Sequence, residues 1–536
     1  MSPRRLWLAG VALLAAACAV EEAATSRPGP ESEPAQGGTA IVAQSQNFEA
    51  FNELVSQSAS TNYVLDNILF MGLIDYDREL NYIPWLADSF WVSRDGMAIT
   101  FRLREGVRWH DGTPVTVDDV AWTYEMSVSD EVGYPNRARF KYVDAVERVD
   151  DRTVRFLFNQ AHGEPEHDFI WWSPMPKHLL KDVLPGQMRN APFNRKPIGN
   201  GPFRFVSWQP NQEVVFEAND DFVFGRPYLD RIVFRVIPEE TTLLTELLAG
   251  QVDLLPGVPF AGIERLEASK EARPIIYESN RYQYISYNTL NPLFADARVR
   301  RALTMAVDRD AIVDALMYGH GRVAVTHALP FQWEYNAALT PLPYDPDSAR
   351  ALLKNIGWVD TDGDGVLDNG GRPFRFTLLT NRGETLREDM AVIIQSDLAE
   401  VGIEVVPRSL EWTTFVEALW TKQFEAAVTG WSVDLKFEPW AMFSTDAIDG
   451  QFNDGSYSNP GLDAVMDRAN RTLDRDEAKP LWDEVQEVLH DEQPYTFLVV
   501  NTGRLGVSNR LEGVEADVRG YLVSVRHWWI PEVDRQ

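Results

Sequence analysis

Residues 80–125 read LNYIPWLADSFWVSRDGMAITFRLREGVRWHDGTPVTVDDVAWTYE. Apolar and polar residues alternate over residues 97–104, which predicts a half-buried strand. The turn signal Arg94-Asp95-Gly96 predicts that this strand closes a hairpin with the apolar residues before the turn. Thr116, with an acid three residues later, has the pattern of a capping box, so a helix is expected over residues 117–128.

Two phrases within this stretch carry a recognisable order of residues. The first is P-x-L-A-x-S-F-x-V-S-x-D-G, and the second is T-F-x-L-R-x-G-V-x-W-H-D-G-x-P-V-T-x-D-D-V. Both resemble the family 5 solute-binding proteins of ABC importers, receptors that capture dipeptides, oligopeptides, nickel chelates and some oligosaccharides outside the cell. Further resemblances at residues 72–76, 199–203, 250–253 and 298–308 extend the likeness over about residues 40–530.

This resemblance implies an α/β protein with the two-lobed periplasmic-binding-protein fold of type II, in the three-domain form of the oligopeptide-binding proteins. Lobe 1 would combine a core domain with an inserted domain of residues 66–195. The core domain would be assembled from three segments, residues 39–65, 196–280 and 503–536. Lobe 2 would comprise residues 281–502, and two crossing strands near Tyr284 and Val499 would form the hinge.

Length and composition agree with a soluble protein of several domains. A chain of 536 residues is too long for one core. Hydrophobic content of 45% and charged content of 24% are ordinary for a globular protein. The formal net charge of −30 argues against nucleic acid and anionic lipid as direct partners, because like charges repel. A monomer is expected, with contact to a membrane only through an anchor.

The N-terminal residues predict export and anchoring. Two arginines precede an apolar run that is too short to span a bilayer comfortably, so residues 1–17 are interpreted as a signal peptide. The run ends at Cys18, the only cysteine, in a context similar to a bacterial lipobox, so its thiol would carry a diacylglycerol anchor. Residues 18–38 would be a flexible tether. The location would then be extracytoplasmic and membrane-anchored, in the periplasm or on the cell surface; an ordinary cleaved signal peptide is the alternative.

The segment Gly430-Trp431-Ser432-Val433-Asp434 is the main candidate for a ligand site. In peptide-binding relatives a segment of this kind is an edge strand that hydrogen-bonds the ligand main chain. The resemblance implies that Asp434 pairs with the ligand α-ammonium, that Gly430 and Ser432 offer backbone groups, and that Trp431 forms an apolar wall. Asp434 could instead be a turn or capping residue.

The residues after Asp434 depart from the peptide-binding pattern. They read Leu435-Lys436-Phe437-Glu438-Pro439, where peptide binders usually have Tyr and a nearby Pro. Lys436 could neutralise Asp434, so an oligosaccharide or another non-peptide solute is an alternative ligand.

Two further segments are ligand candidates by resemblance. Trp412, in the sequence EWTTF, matches a family position that lines the pocket, although a core Trp is equally compatible with it. Alignment of residues 70–73 with the family places Ser58 and Ser60 on the ligand-contacting strand of lobe 1.

Residues 360–371 begin like an EF-hand loop. Aspartates occupy positions 1, 3, 5 and 9, and a glycine replaces the bidentate Glu at position 12: Asp360, Asp362, Asp364, Asp368 and Gly371. The loop predicts either a structural Ca²⁺ site or a solvated hairpin loop, and no other cofactor is expected. The sequence HGEPEH at residues 162–167 concentrates metal-ligand types, but Pro165 prevents a regular helical face, so an exposed loop is predicted.

The expected function is that of a substrate-binding lipoprotein of an ABC importer. It would capture a small solute, a peptide in first place, between its lobes and deliver it to the permease subunits. A secreted hydrolase is the second alternative. The sequence contains no Walker A motif, no H-E-x-x-H, no G-x-S-x-G and no second cysteine, so it shows no catalytic pattern and the protein is not expected to be an enzyme.

Overall fold

The computed structural model describes residues 33–535. The predicted signal peptide, Cys18 and the tether up to residue 32 lie outside the described residues. Gly37 donates its N–H to the carbonyl of Tyr228 at 2.7 Å, and Arg535 Nη2 donates to the carbonyl of Ala35 at 3.0 Å. The prediction of a tether up to residue 38 is therefore wrong at its end, because residues 35–38 are hydrogen-bonded to the folded part. Within residues 33–535 no helix has the length and apolarity that crossing a bilayer requires.

Strands occur along most of the described chain. Their bounds are β1 Thr39–Gln44, β2 Ile74–Tyr76, β3 Tyr82–Pro84, β4 Ala87–Val92, β5 Ala98–Leu103, β6 Val143–Arg148, β7 Thr153–Phe158, β8 Phe203–Gln209, β9 Glu213–Ala218, β10 Arg231–Val236, β11 Leu254–Pro256, β12 Ala272–Tyr287, β13 Arg322–Val323, β14 Asp368–Asn369, β15 Arg372–Pro373, β16 Arg375–Asn381, β17 Glu404–Leu410, β18 Ala426–Ser432 and β19 Tyr495–Ser508.

The α-helices alternate with these strands, as expected for an α/β protein. Their bounds are α1 Ala59–Val64, α2 Val117–Ser127, α3 Lys177–Leu180, α4 Glu240–Leu248, α5 Ile263–Glu267, α6 Ala297–Ala306, α7 Arg309–Met317, α8 Pro346–Asn355, α9 Thr385–Glu400, α10 Trp412–Trp420, α11 Trp440–Phe443, α12 Pro460–Arg471 and α13 Arg475–Glu492.

One large sheet runs through both lobes. Its strand order is β17-β16-β18-β12-β19-β11-β1-β10-β9-β8, and β13 pairs with β19 at the side. The long antiparallel strands β12 and β19 connect the two halves, with an irregularity in their pairing between Glu278 and Tyr282. A second irregularity lies between Gln283 and Tyr284, beside the predicted crossing. Tyr284 and Val499 are both buried, and their place at a hinge stays a prediction.

The quoted stretch folds as its pattern predicts. β4 and β5 form the hairpin, and α2 begins after Thr116 with a capping box that Asp119 completes. One detail differs: five of the six residues of β5 are buried, so the strand is not half-buried. β5 is an inner strand of a four-stranded sheet of the order β4-β5-β7-β6, and side chains of its neighbours cover its second face: Nε of Arg155 on β7 donates to the hydroxyl of the buried Thr100 at 3.3 Å.

Separate apolar cores support the two lobes. Val42, Phe216, Phe234 and Leu505 belong to the core of the predicted core domain of lobe 1. An aromatic core of the predicted inserted domain includes Phe101, Phe156, Phe169 and Trp172, and it also takes in Phe222 and Leu435 from outside that domain. In lobe 2, helices α6, α7 and α9 cover one face of the sheet, with a core that includes Ile285, Leu303, Ile394 and Val499. The domain boundaries themselves stay a prediction.

Candidate ligand-binding site

β18 has a free edge beside the predicted ligand segment. β12 pairs with all of residues 426–432, whereas β16 pairs with β18 only at Ala426 and Ala427. From Val428 to Ser432 the other edge has no partner among the described strands. β18 is thus an inner strand at its start and an edge strand at its end, where Gly430 and Ser432 lie. Such an edge can hydrogen-bond the main chain of an extended ligand.

Gly430 leaves room for a buried arginine behind this strand. A Cβ atom at Gly430 would lie 2.6 Å from Nη2 of Arg387 and 2.6 Å from Oε1 of Gln283. Arg387 is 5% exposed, and it donates to Gln283 Oε1 at 2.9 Å and to Asn381 Oδ1 at 2.8 Å. The guanidinium can pack directly against β18 because Gly430 has no side chain.

We expect Gly430→Ala to lower the midpoint of thermal unfolding. The added methyl group forces the buried guanidinium to move or to give up a hydrogen bond, and overpacking of this kind costs about 1 kcal/mol or more. Gly186→Ala is the matched control, because an added Cβ at Gly186 meets nothing within 4 Å. Differential scanning calorimetry should show a lower midpoint in the first variant alone; equal midpoints in both would contradict this packing.

Asp434 follows β18 and faces the space between the lobes. Its Oδ2 lies 3.4 Å from Nε2 of His167, which belongs to the predicted inserted domain of lobe 1. Its Oδ1 accepts the N–H of Leu435 at 2.8 Å, so Asp434 also fixes the turn after β18. The side chain is 47% exposed although groups of both lobes surround it, which is the situation of a carboxylate in a solvent-filled cleft.

Asp434 and His167 stabilise each other's charged forms. Partial desolvation raises the pKa of Asp434, but the charge of His167, the N–H of Leu435 and the charge of Arg139 together lower it to about 2. Burial lowers the pKa of His167, but the charge of Asp434 outweighs burial and raises it. Opposite shifts of this kind are expected of an ion pair.

The sequence suggested that Lys436 could neutralise Asp434, but the two side chains are not paired. Its Nζ lies 3.2 Å from Oε1 of Glu438, and its side chain is only 7% exposed. Burial lowers the pKa of Lys436, but the charges of Glu438 and of Glu164 from lobe 1 outweigh burial and raise it. Lys436 is therefore engaged elsewhere, and the partner of Asp434 is His167.

A cavity of about 260 Å³ lies next to Asp434, between the two lobes. Aromatic and charged side chains dominate its walls: Tyr76, Tyr82 and Glu164 from lobe 1, and Phe331, Trp333 and Arg475 from lobe 2. Arg475 Nη2 lies 2.6 Å from Oε1 of Glu164, and its guanidinium lies 5.1 Å from the ring centre of Trp333. Two ion pairs, His167–Asp434 and Glu164–Arg475, therefore bridge the lobes.

The two predicted tryptophans differ in their surroundings. Trp431 is half-buried, and its ring centre lies 5.2 Å from that of Phe452. Trp412 begins α10 and is 54% exposed, with its ring centre 6.1 Å from that of Phe415. Phe415 packs with Leu379 of β16 and with Ala427 of β18. Trp412 is thus no core residue, and its helix covers the sheet where β16 and β18 separate.

Ser58 and Ser60 do not form a strand. Ser58 is the N-cap of α1 and accepts the N–H of Thr61 at 3.3 Å, and its hydroxyl lies 3.0 Å from that of Ser60. The prediction of a ligand-contacting strand is wrong here, because a serine that caps a helix fixes a turn. No hydrogen bond of the described residues joins either serine to residues 430–434.

The segment of residues 162–167 is not the exposed loop that its sequence predicts. His162 Nε2 lies 2.9 Å from Oδ2 of Asp168, and the side chain of His162 is only 11% exposed. A short 3₁₀-helix, Pro165–Phe169, turns His167 toward Asp434. Sequence reasoning missed His167 as a site residue, because its partner lies far away in the chain and the local signal was only a cluster of polar residues.

Three of the four predicted calcium ligands lie together. One carboxylate oxygen each of Asp360, Asp362 and Asp364 fall within 4.8 Å of one another, and all three residues are exposed. Asp368 is not in this group, because its Oδ2 accepts the hydroxyl and the N–H of Thr361. Backbone N–H groups of the same loop donate to the other three carboxylates, which suits a solvated turn as well.

Calcium binding by this loop stays a prediction with a direct test. If a Ca²⁺ ion binds the three aspartates, adding EGTA should lower the midpoint of thermal unfolding, because a ligand that binds only the folded state stabilises it. Asp362→Asn should then remove the effect of EGTA. An unchanged midpoint in the unmodified protein would identify a solvated loop.

Comparison with known proteins identifies the family of the chain. Residues 81–454 match the family model for bacterial extracellular solute-binding proteins, family 5. The oligopeptide-binding protein AppA of Bacillus subtilis (strain 168) is 33% identical over 506 residues, which cover 93% of this chain and 92% of AppA. Heme-binding protein A of Haemophilus influenzae is 26% identical over 547 residues, which cover 96% and 97% of the two chains.

A solved structure agrees with this match. The structure of AppA from Bacillus subtilis in complex with a nonapeptide has a TM-score of 0.79 and 32% sequence identity, over 93% of this chain and 100% of that chain. The two-lobed α/β architecture is common to both. The chain belongs to the bacterial extracellular solute-binding proteins of family 5, the solute receptors of ABC transporters.

Proposed function

We propose that this protein captures peptides in the cleft between its lobes and delivers them to the permease of an ABC importer. The observation that carries the proposal is the position of Asp434, an ionised carboxylate in the interlobe cleft, directly after a strand with a free edge. A peptide has the two groups that match it: a main chain that can pair with an edge, and an α-ammonium. The likeness to an oligopeptide-binding protein supports this choice.

The proposed contacts divide the ligand into common and variable parts. The peptide main chain pairs with the free edge at Gly430 and Ser432, which supplies affinity that does not depend on ligand sequence. Asp434 binds the α-ammonium, and this charge-assisted bond sets the position of the first residue. Trp431 covers one side of the ligand. The cavity beside Leu435 then takes the side chain nearest the ammonium, against aromatic and charged walls.

A non-peptide solute is the second candidate. The exposed indole of Trp412 and the aromatic cavity walls are surfaces on which flat or ring-shaped ligands stack. One relative is named heme-binding protein A, so proteins similar to this chain are also named for ligands other than peptides. Members of the family are transport receptors without enzymatic activity, and this overturns the alternative of a secreted hydrolase.

Native mass spectrometry of the protein as purified tests the choice of ligand. We expect retained peptides, and after unfolding and refolding we expect one intact peptide per protein from a peptide library. A parallel experiment uses a glycan library. If the protein retains a glycan from it and no peptide from the peptide library, the second candidate is favoured. Cleaved peptides that accumulate with time would contradict a receptor.

We further propose that the receptor acts as a monomer anchored outside the cytoplasm through lipidated Cys18. The lipobox-like sequence before Cys18 supports the anchor, and the extracellular family supports the location. The strongly negative surface would not itself adhere to anionic lipid, so the anchor has to supply the attachment to the membrane.

A further inference from the structure

His167 already occupies the carboxylate that a ligand ammonium would need. Its Nε2 lies 3.4 Å from Oδ2 of Asp434, and its Nδ1 lies 3.2 Å from the hydroxyl of Tyr76. The imidazole is therefore oriented by Tyr76 of lobe 1 and points at lobe 2, and only 13% of its side chain is exposed. Asp434 Oδ1 accepts the N–H of Leu435, whereas Oδ2 has His167 as its charged neighbour, so a cation that binds Oδ2 meets the imidazole.

We propose that His167 is a built-in competitor for the ammonium site, which binds Asp434 while the cleft is empty and which a peptide must displace. This inference rests on the proposed function. The reason is steric and electrostatic: one carboxylate oxygen cannot hold an imidazolium and an ammonium in the same position, and two adjacent cations repel each other. The same pair holds lobe 1 against lobe 2 before any ligand arrives.

Competition makes the site selective for a ligand with a strong cation at its end. An N-acylated peptide cannot replace the imidazolium at Asp434, so it would leave the bridge in place or bind without that contact. A free α-ammonium can replace it. The pair of His167 and Asp434 would thus reject blocked peptides more effectively than Asp434 alone. The carboxylate already has the imidazolium as its partner, and a peptide without an ammonium does not displace it.

Displacement releases a proton. The charged and titratable neighbours of His167 are Asp434, Tyr76, Lys436 and Glu438, and Arg139 acts on Asp434. Burial raises the pKa of Glu334, which interacts with Tyr76 and Lys436, to about 7, so Glu334→Gln is measured beside His167→Gln to separate the two titrations. Once an ammonium sits at Asp434, the favourable partner of the imidazolium is gone, while burial and a new neighbouring cation both disfavour its charge. We therefore expect peptide affinity to rise with pH, by up to about tenfold per pH unit for one released proton.

The pH window follows from the direction of the shift. The pKa of His167 is raised by Asp434, so the bridge is complete below the ordinary value of about 6.5 and is lost as the pH rises through the raised pKa. The α-amino group of a peptide loses its charge above a pH of about 8. Competition should therefore weaken as the pH rises from about 6 towards about 8, where the ammonium itself begins to lose its charge.

Isothermal titration calorimetry with tetraalanine tests the proposal, at several pH values and in buffers of different ionisation enthalpy. The unmodified protein and the control His320→Gln should release about one proton per peptide and bind more tightly as the pH rises. His167→Gln should release none, show no pH slope in this window, and bind more tightly than the unmodified protein at low pH. The same slope in His167→Gln would overturn the proposal. Weaker binding at every pH would also overturn it, by making His167 a ligand contact.

A measurement without ligand separates this proposal from the proposed function. Small-angle scattering of the empty protein should show a smaller radius of gyration below pH 6 than near pH 8, and His167→Gln should show no difference; His167→Asn serves if the first variant fails to fold. Because Glu164 and Arg475 also join the lobes, the same comparison is made in Arg475→Gln, and a pH-independent radius in both proteins would overturn the bridge. If tetraalanine and a peptide library do not bind but the radius still follows pH and His167, then peptide capture fails and the bridge stands.

Discussion

Asp434→Asn is expected to weaken the binding of tetraalanine by about 1.5–3 kcal/mol, the range for hydrogen bonds to charged groups. This corresponds to roughly a ten- to hundredfold loss of affinity. The variant keeps the shape of the side chain but removes the charge that the ammonium needs. Isothermal titration calorimetry is the appropriate measurement, at the upper end of the pH series because competition from His167 weakens as the pH rises.

Two controls make this result specific to the ammonium contact. Asp314→Asn removes the same charge from an exposed position of α7 and should leave affinity unchanged. N-acetyl-tetraalanine lacks the ammonium, so the unmodified protein should bind it more weakly, whereas Asp434→Asn should treat both peptides alike; the difference isolates the pairwise interaction. Unchanged tetraalanine affinity in Asp434→Asn would remove Asp434 from the ligand site.

Cys18→Ser is expected to release the protein from membranes almost completely. Each buried CH₂ of an acyl chain contributes about 0.8 kcal/mol to membrane binding, and stable anchoring takes more than one chain. The variant has no thiol to carry the diacylglycerol, and the protein surface, with a net charge of −30, offers no attraction to anionic lipid in its place.

Fractionation of cells that produce the protein measures this effect. Ala19→Ser, which alters the neighbouring residue and retains the thiol, is the control and should stay in the membrane fraction. If the Cys18→Ser protein also remained with the membrane, lipid anchoring at this cysteine would be refuted.

Short-range signals predicted local structure well. The hairpin of β4 and β5 and the capping box of Thr116 and Asp119 depend on residues that are neighbours in the chain. The burial of Thr100 was missed, because it depends on β7, a strand that follows some fifty residues later and covers the other side of β5.

Where the family pattern is continuous, the sequence predicted the local backbone. β18 ends in a free edge at residues 428–432, and Asp434 follows that edge; a ligand role for residues 430–434 stays a prediction. Ser58 was assigned to a strand from alignment alone, and its capping of α1 shows that register cannot be read across a weak match. His167 as the partner of Asp434 does not follow from local sequence, whereas Glu438, the partner of Lys436, lies only two residues away. The first pair forms only when two lobes meet.

Small-angle scattering with and without ligand, near pH 7.5, tests the central claim most directly. We predict that tetraalanine or the peptide recovered from the purified protein lowers the radius of gyration, because a ligand that contacts both lobes favours their closed arrangement by its differential affinity. Asp434→Asn should show a smaller change at the same ligand concentration. A radius that stays the same with every bound ligand would contradict a receptor that closes around its solute.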